Sequence, residues 1–182
     1  MSGPRARGKR ARSRNIIMHA AKGLFEEKGI NHVTFNDIAQ RADMCRTTIF
    51  NHFATINELM LALMEQEVVD VLEHCEESGE HGNDLIVRMF EKLIDDTVQY
   101  PVLSSKLLSN SIISEEEAKS VRKLELLIEE NLTCPEEDKE DHVIMITGLF
   151  YGLVNHYLIC AKEFDGNRMK RQFVELVKPY LN

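Results

Sequence analysis

The sequence predicts an all-α protein of about nine helices. Apolar residues recur at three- and four-residue steps along most of the 182 residues. No stretch alternates apolar and polar residues as a half-buried strand would, and no internal repeat is evident. Two capping boxes, at Thr34 and Thr55, mark helix starts by their own chemistry.

The first helix is expected from about Ser13 to Lys28, with Ile16, Ile17, Ala20, Ala21, Leu24 and Phe25 at helical steps. Gly29 follows, where a left-handed C-terminal cap favours glycine. The second helix opens at Thr34, with Asp37 three residues on and Val33 and Ile38 at the hydrophobic-staple positions. It carries Phe35, Ile38, Ala39 and Ala42 inward and ends near Asp43. A third, short helix covers Arg46 to Phe53. Thr55 and Glu58, with Ala54 and Leu59 as staple, open a long fourth helix from about Ile56 to Glu77. Gly79, Gly82 and Asn83 mark a loop. Further helices are expected over Asp84–Gln99, Val102–Ser109, Glu115–Asn131, Pro135–Glu163 and Arg168–Leu181. Pro101 separates the first pair, Ser114 with Glu117 caps another, and Asp165-Gly166-Asn167 divides the last two.

The overall charge of −8 conceals an asymmetry. Residues 1–60 carry a net +5 and residues 61–182 a net −13. A basic head on an acidic body implies that only the head meets a polyanion. The basic start lacks a following apolar region, so no signal peptide is expected. No apolar run is read as reaching the ~18 residues that span a bilayer, so no membrane partner is expected. Cys45, Cys75, Cys134 and Cys160 are far apart with no C-x-x-C pair, which argues for reduced thiols in a cytoplasmic protein.

Two short helices joined by a three-residue turn, the second presenting polar residues, are the geometry that seats a recognition helix in a DNA major groove. Residues 34–53 have that pattern. Ile49, Phe50 and Phe53 form the apolar side of the second helix, and Arg46, Thr47, Thr48, Asn51 and His52 the polar side. The N-terminal half of such a helix faces base edges, so Arg46 and Thr47 are the candidates for base contact. Thr34, Thr48, Asn51 and His52 are candidates for phosphate. Arg5, Arg7, Lys9, Arg10, Arg12 and Arg14 form a basic stretch that could add phosphate or minor-groove contacts, with Arg10 and Arg12 singled out.

The segment Ile16 to Gly29 followed by Val33 to Ala42, and then Thr48-Ile49-Phe50-Asn51-His52-Phe53 with the Thr55-to-Leu59 box, resembles the TetR family of bacterial repressors. The resemblance spans about residues 10–65 without gaps. It departs from the family at Asp43-Met44-Cys45, where Gly-Val-Ser is frequent. Asp43 tolerates a left-handed backbone, whereas Cys45 is a weaker N-cap than serine. Asn51 stands where tyrosine is common, and Ile56 where lysine is, which removes two common phosphate contacts.

What the resemblance implies is a homodimer that binds double-stranded DNA and a small-molecule effector. A basic, flexible arm is expected over residues 1–12, a DNA-binding domain over 10–70, and a ligand-binding and dimerisation domain over 71–182. The implied pocket lies among the middle helices, with Met60, Met64, Met89, Phe90, Leu93, Leu107, Phe150 and Tyr157 as candidate walls. Asn155 and His156 are its candidate polar anchors, although core is the better reading of most of these residues taken singly. The implied dimer interface lies on the last two helices, at Ile144, Gly148 and Tyr151 of one and Met169, Phe173 and Leu176 of the other. Gly148 and Gly152 inside a helix are destabilising unless another backbone approaches closely.

An enzyme is not expected: G-x-S-x-G, H-E-x-x-H, P-loop and dinucleotide glycine patterns are missing from the sequence. Acidic runs such as Glu115-Glu116-Glu117 sit at helix starts, where they complement the helix dipole. His74, Cys75 and His81 straddle a loop and do not make a metal set, and no cofactor is implied. The expected function is a repressor released from a palindromic operator by a small apolar effector. The alternatives are a thiol sensor acting through Cys45 and, from another class, a helical protein-binding module without DNA affinity.

Overall fold

The computed structural model describes residues 4–110 and 115–181. Among these residues there are nine α-helices and no strand: α1 (Pro4–Lys28), α2 (Phe35–Arg41), α3 (Arg46–Phe50), α4 (Ile56–Ser78), α5 (Gly82–Gln99), α6 (Pro101–Asn110), α7 (Glu115–Asn131), α8 (Lys139–Ile159) and α9 (Gly166–Val177). Short 3-10 turns lie at Ile30–His32, Glu136–Asp138 and Lys178–Tyr180.

The chain divides into two compact units between Leu63 and Met64, within α4 and ahead of the boundary expected near residue 70. The head packs α1 on α2 and α2 on α3. Its core is made of Ile17, Ala21, Leu24, Phe25, Ile38, Ile49, Phe53, Leu59 and Leu63. In the body, α5 packs against α6, α7 and α9, and α8 against α7 and α9. Phe90 is its hub, with ring centroids 4.5 Å from Phe173 and 5.5 Å from Phe150.

Several boundaries depart from the sequence reading. α1 starts at Pro4, not Ser13, so residues 4–12 are helix and not a flexible arm. Proline suits a first helical position, and the arginines and alanine after it are good helix formers. The side chains of Arg5 and Arg7 and the expected Ser114–Glu117 cap lie outside the described residues. α3 is shorter than Arg46–Phe53, because the His52 N–H reaches back three residues to the Ile49 carbonyl and tightens the end. α9 stops at Val177, since Pro179 has no N–H to continue the ladder.

α8 stops at Ile159, short of Glu163, because a Schellman motif ends it. Ala161 sits at φ +47, the Lys162 N–H donates to the Tyr157 carbonyl (2.9 Å), and the Ala161 N–H donates to the Leu158 carbonyl (3.1 Å). An L-residue in that left-handed well is strained by about 1–2 kcal/mol. Ala161→Gly should therefore raise stability by about 0.5–1 kcal/mol after glycine's greater unfolded-state entropy is allowed for. A melting temperature higher by about 1–4 °C is the readout; a fall would contradict the account.

The stretch Glu136–Ile159 is also long and apolar enough to cross a membrane by length and composition, with mean hydropathy 1.3. This corrects the reading that no run reaches that length. The helix owes its hydropathy to two apolar faces. Val143, Ile146, Phe150, Leu153, Val154 and Tyr157 are buried in the body, while Ile144, Met145, Leu158 and Ile159 are exposed. No atom outside the helix's own backbone lies within 4 Å of where a Cβ would stand at Gly148 or Gly152.

Candidate nucleic-acid interface

Local bonds set the start of α2. The Asp37 N–H donates to the Thr34 hydroxyl oxygen (3.3 Å) and the Thr34 N–H to the Asp37 carboxylate (2.9 Å). The Thr34 hydroxyl itself donates to that carboxylate. Lys28 also donates to Asp37 at 2.6 Å, and chiefly through this bond, then those from Thr34, the carboxyl is held far below the usual carboxylate range. Arg41 donates through both terminal nitrogens to Glu27 (3.0 and 2.5 Å), clamping α2 to α1. Thr34 is thus a helix cap whose hydrogen is already engaged, and Lys28 and Arg41 are paired within the head.

The turn follows the same chemistry as the end of α8. Asp43 takes φ +51, and the Met44 N–H donates to the Ala39 carbonyl (2.9 Å) while the Asp43 N–H reaches Gln40 (3.4 Å). α3 then begins at Cys45, whose side chain caps no backbone N–H. Its Sγ lies 2.9 Å from the Thr48 hydroxyl. Hydrogen bonding to that hydroxyl is the chief cause that holds the thiol below its ordinary pKa.

α3 is seated by Ile49 and Phe53, both fully buried. Arg46, Thr47 and Asn51 are exposed, and Thr48 and His52 half-buried. The Arg46 guanidinium lies 5.1 Å over the ring of Phe50, which itself meets Phe35 edge-on at 4.9 Å. Arg46 is therefore braced from α2 through Phe50, although Phe50 is 43% exposed. Thr48 is engaged with Cys45 rather than presented alone. At the start of α4, the Glu58 N–H donates to the Thr55 hydroxyl (3.0 Å), while the Glu58 carboxylate accepts from Ala54 (2.7 Å) instead of from Thr55.

One arginine carries a role that the sequence did not single out. Arg14 lies 4.4 Å over the Phe53 ring and donates to the His52 carbonyl at 3.5 Å, tying α1 to the end of α3. Arg10 and Arg14, four residues apart, extend the buried stripe of α1 that holds Ile17 and Ala21. Arg12 falls on the opposite side of the helix, so the two arginines named together face different ways. Burial, then the charges of Arg10 and Arg14, lower the His52 pKa. Both causes disfavour the charged imidazolium of His52.

The remaining candidates lie in the body. A cavity of about 120 Å³ is lined by Met64, Met89, Phe90, Leu93, Leu107 and Phe150 among the expected walls. Met60 is not among them and lies in the head's core. Tyr157 is core, 1% exposed, and its hydroxyl donates to Gln172 (2.7 Å). Asn155 lines an adjoining outer cleft, and His156 is exposed, with Lys162 Nζ 2.8 Å from its Nε2. At the expected dimer surface, Ile144 and Leu176 are 58% and 48% exposed, Gly148 is exposed, and Tyr151 is half-buried on the cavity wall. Met169 and Phe173 are fully buried against α5 and α8 and belong to the subunit's own core.

This head has counterparts among known proteins. Residues 17–63 match the bacterial regulatory proteins of the tetR family. The chain carries a TetR-family head. TetR-family proteins are DNA-binding transcriptional regulators and not enzymes. An HTH-type transcriptional regulator of Mycobacterium tuberculosis is 27% identical over 101 residues, covering 54% of this chain and 53% of that one. The HTH-type transcriptional repressor AcnR of Corynebacterium efficiens is 27% identical over 95 residues, covering 52% and 47%. The chain spans about half the length of the curated relatives it matches. In three dimensions it is similar to the FadR regulator of Bacillus subtilis, whose structure is a complex with stearoyl-CoA. The TM-score is 0.73 at 15% identity, over 92% of this chain and 97% of that one. That likeness extends the TetR fold through the body.

Proposed function

We propose that this TetR-family regulator is a homodimeric repressor. It binds a palindromic operator through the motif at residues 34–53 and leaves it when a small apolar molecule occupies the body's cavity. The observation that carries the reading is the α3 surface. Arg46, Thr47 and Asn51 stand exposed on a helix rooted by Ile49 and Phe53, with Arg46 braced on Phe50. Exposed polar donors on a buried apolar base are what base reading in a major groove requires.

For the dimer, the support is the second apolar face of α8. Ile144, Met145 and Ile159 are exposed, and the bare backbone at Gly148 and Gly152 leaves room for a partner helix. A helix apolar on two faces needs cover on both. For the effector, the cavity is below the ~300–1,000 Å³ typical of ligand pockets, and closer to the ~150 Å³ that holds one benzene ring. The cavity alone has room for a one-ring ligand; a long acyl chain of the kind bound by the Bacillus subtilis neighbour would have to extend into the adjoining outer cleft, which shares Leu108, Val121, Glu125 and Tyr151 with it. An effector acts here only by binding the two conformations with different affinity.

Selection of bound duplexes from genomic DNA should enrich an inverted repeat, and failure to enrich one would sink the proposal. Affinity for that repeat should fall steeply with salt, by about a thousandfold between roughly 50 and 200 mM if six or more phosphates are neutralised. A protein-binding module would show no such slope.

A thiol-sensing role has its own observation, the exposed Cys45 with its lowered pKa in the helix-turn-helix. Peroxide would convert the thiolate to a sulfenic acid with release of hydroxide, placing an oxidised sulfur at the start of α3. If Cys45→Ser leaves peroxide sensitivity of DNA binding unchanged, that role is excluded.

A further inference from the structure

We infer that the body's cavity takes an uncharged single-ring arene of about the size of toluene, in preference to its saturated counterpart and to any ring that carries a charge. The inference rests on reading the cavity as the effector site. The carboxylates and threonines of its wall are already committed inside the protein. Asp96 is paired with Lys92 and Glu125 with Arg122, and Glu67 is not without a partner. The Thr97 hydroxyl donates to the Leu93 carbonyl (2.7 Å), and the Thr147 hydroxyl to the Val143 carbonyl (2.7 Å). The cavity surface itself is almost wholly apolar. A charged ligand would leave water for walls that offer it no counter-charge, and that loss is uncompensated.

Size and shape then select the ring. The cavity holds about 120 Å³, somewhat less than the roughly 150 Å³ of a dry cavity lined by leucine, isoleucine and phenylalanine that binds benzene. A flat ring fills less space than a puckered saturated ring of the same carbon count, and overfilling forces side chains off their rotamers. Phe90 and Phe150, with centroids 5.5 Å apart and planes inclined at 52°, both stand on the wall, and Tyr151 adds a third ring. Rings so inclined let a flat guest meet one in an offset stack and another by its edge, the arrangements that ring quadrupoles favour. Met64 and Met89 also line the wall, and a thioether sulfur gains from an aromatic ring what it does not gain from a saturated one. Leu108, Val121 and Tyr151 line both the cavity and the outer cleft, which gives such a guest its way in.

The test uses the full-length protein and four probes of nearly one shape: toluene, methylcyclohexane, benzylammonium and benzoate. Hydrocarbon binding is read from the vapour above the protein solution and binding of the ions by calorimetric titration. Release of the selected duplex is measured for all four, and toluene should release it. Once each hydrocarbon's own transfer from water to alkane is divided out, toluene should bind about three- to tenfold tighter than methylcyclohexane, the range that ring-on-ring contacts supply. Benzylammonium and benzoate should bind at least about tenfold weaker than toluene. Phe150→Leu, which keeps an apolar side chain, should bring the two hydrocarbons within about twofold of each other. Leu107→Phe, at a half-buried position on the wall, should fill the space and weaken toluene by about tenfold while the unliganded protein keeps its duplex. Equal or tighter binding of methylcyclohexane on that scale, or of either ion, would overturn the ligand class and leave the cavity as an effector site. Toluene that binds without releasing the duplex would remove the effector reading and leave the ligand class. If none of the four binds a protein that still holds its duplex, both fall.

Discussion

Phe173→Ala should lower the unfolding free energy of the body by about 3–5 kcal/mol, a large share of the roughly 5–15 kcal/mol typical of a folded protein. Phe173 is fully buried, its ring tilted against that of Phe90 at 4.5 Å, with fully buried Met169 one turn before it. Truncation would remove the ring's transfer energy and leave a void that the α5, α8 and α9 backbones cannot close. Leu176→Asp on α9 and Ile144→Asp on α8 act instead on exposed residues. They should leave the melting transition of the subunit core in place and shift the protein toward monomer. Denaturant unfolding followed by tryptophan-independent far-UV signal, with light scattering for mass, separates the two outcomes. A Phe173→Ala protein that unfolds like wild type but has lost its partner would return Phe173 to the interface.

That contrast shows which parts of the structure the sequence could carry. Helix starts were legible because their chemistry is local: Thr34 with Asp37 and Thr55 with Glu58 lie three residues apart. The left-handed Asp43 was legible for the same reason, since a short polar side chain tolerates that backbone. The candidate pocket was legible in part, because Met89, Phe90 and Leu93 share one face of a strongly amphipathic α5. What covers an apolar stripe was not legible. Met169, Phe173 and Leu176 have the same spacing whether α5 or a second chain lies over them, and only the packing separates buried Phe173 from exposed Leu176. Tyr157 was misread because a tyrosine near a pocket looks like a ligand wall, whereas its hydroxyl is satisfied by Gln172.

Arginine roles failed for a related reason. A basic run reads as a uniform phosphate surface, but continuous helix from Pro4 gives each residue its own direction. Arg14 is spent on Phe53 and the His52 carbonyl, partners 38 or more residues away that no local pattern announces.

Arg46→Ala should weaken binding to the selected repeat by about 1–3 kcal/mol, or roughly fivefold to 150-fold, and flatten base preference at the position it reads. The exposed guanidinium is held over Phe50, which is in turn held by Phe35, so its ordering entropy is reduced before DNA arrives. Phe50→Leu, which keeps an apolar side chain but removes the ring face, should recover only part of that affinity by leaving Arg46 present and mobile. Arg12 faces away from the buried stripe of α1. Arg12→Ala should weaken all duplexes alike and make the salt slope shallower by about one if Arg12 meets a phosphate. The two arginines are thus separated by the form of the loss, not its size. Uniform weakening with a shallower slope in Arg46→Ala would make Arg46 a phosphate ligand and move base reading to Thr47 and Asn51, the other exposed polar residues of the α3 surface.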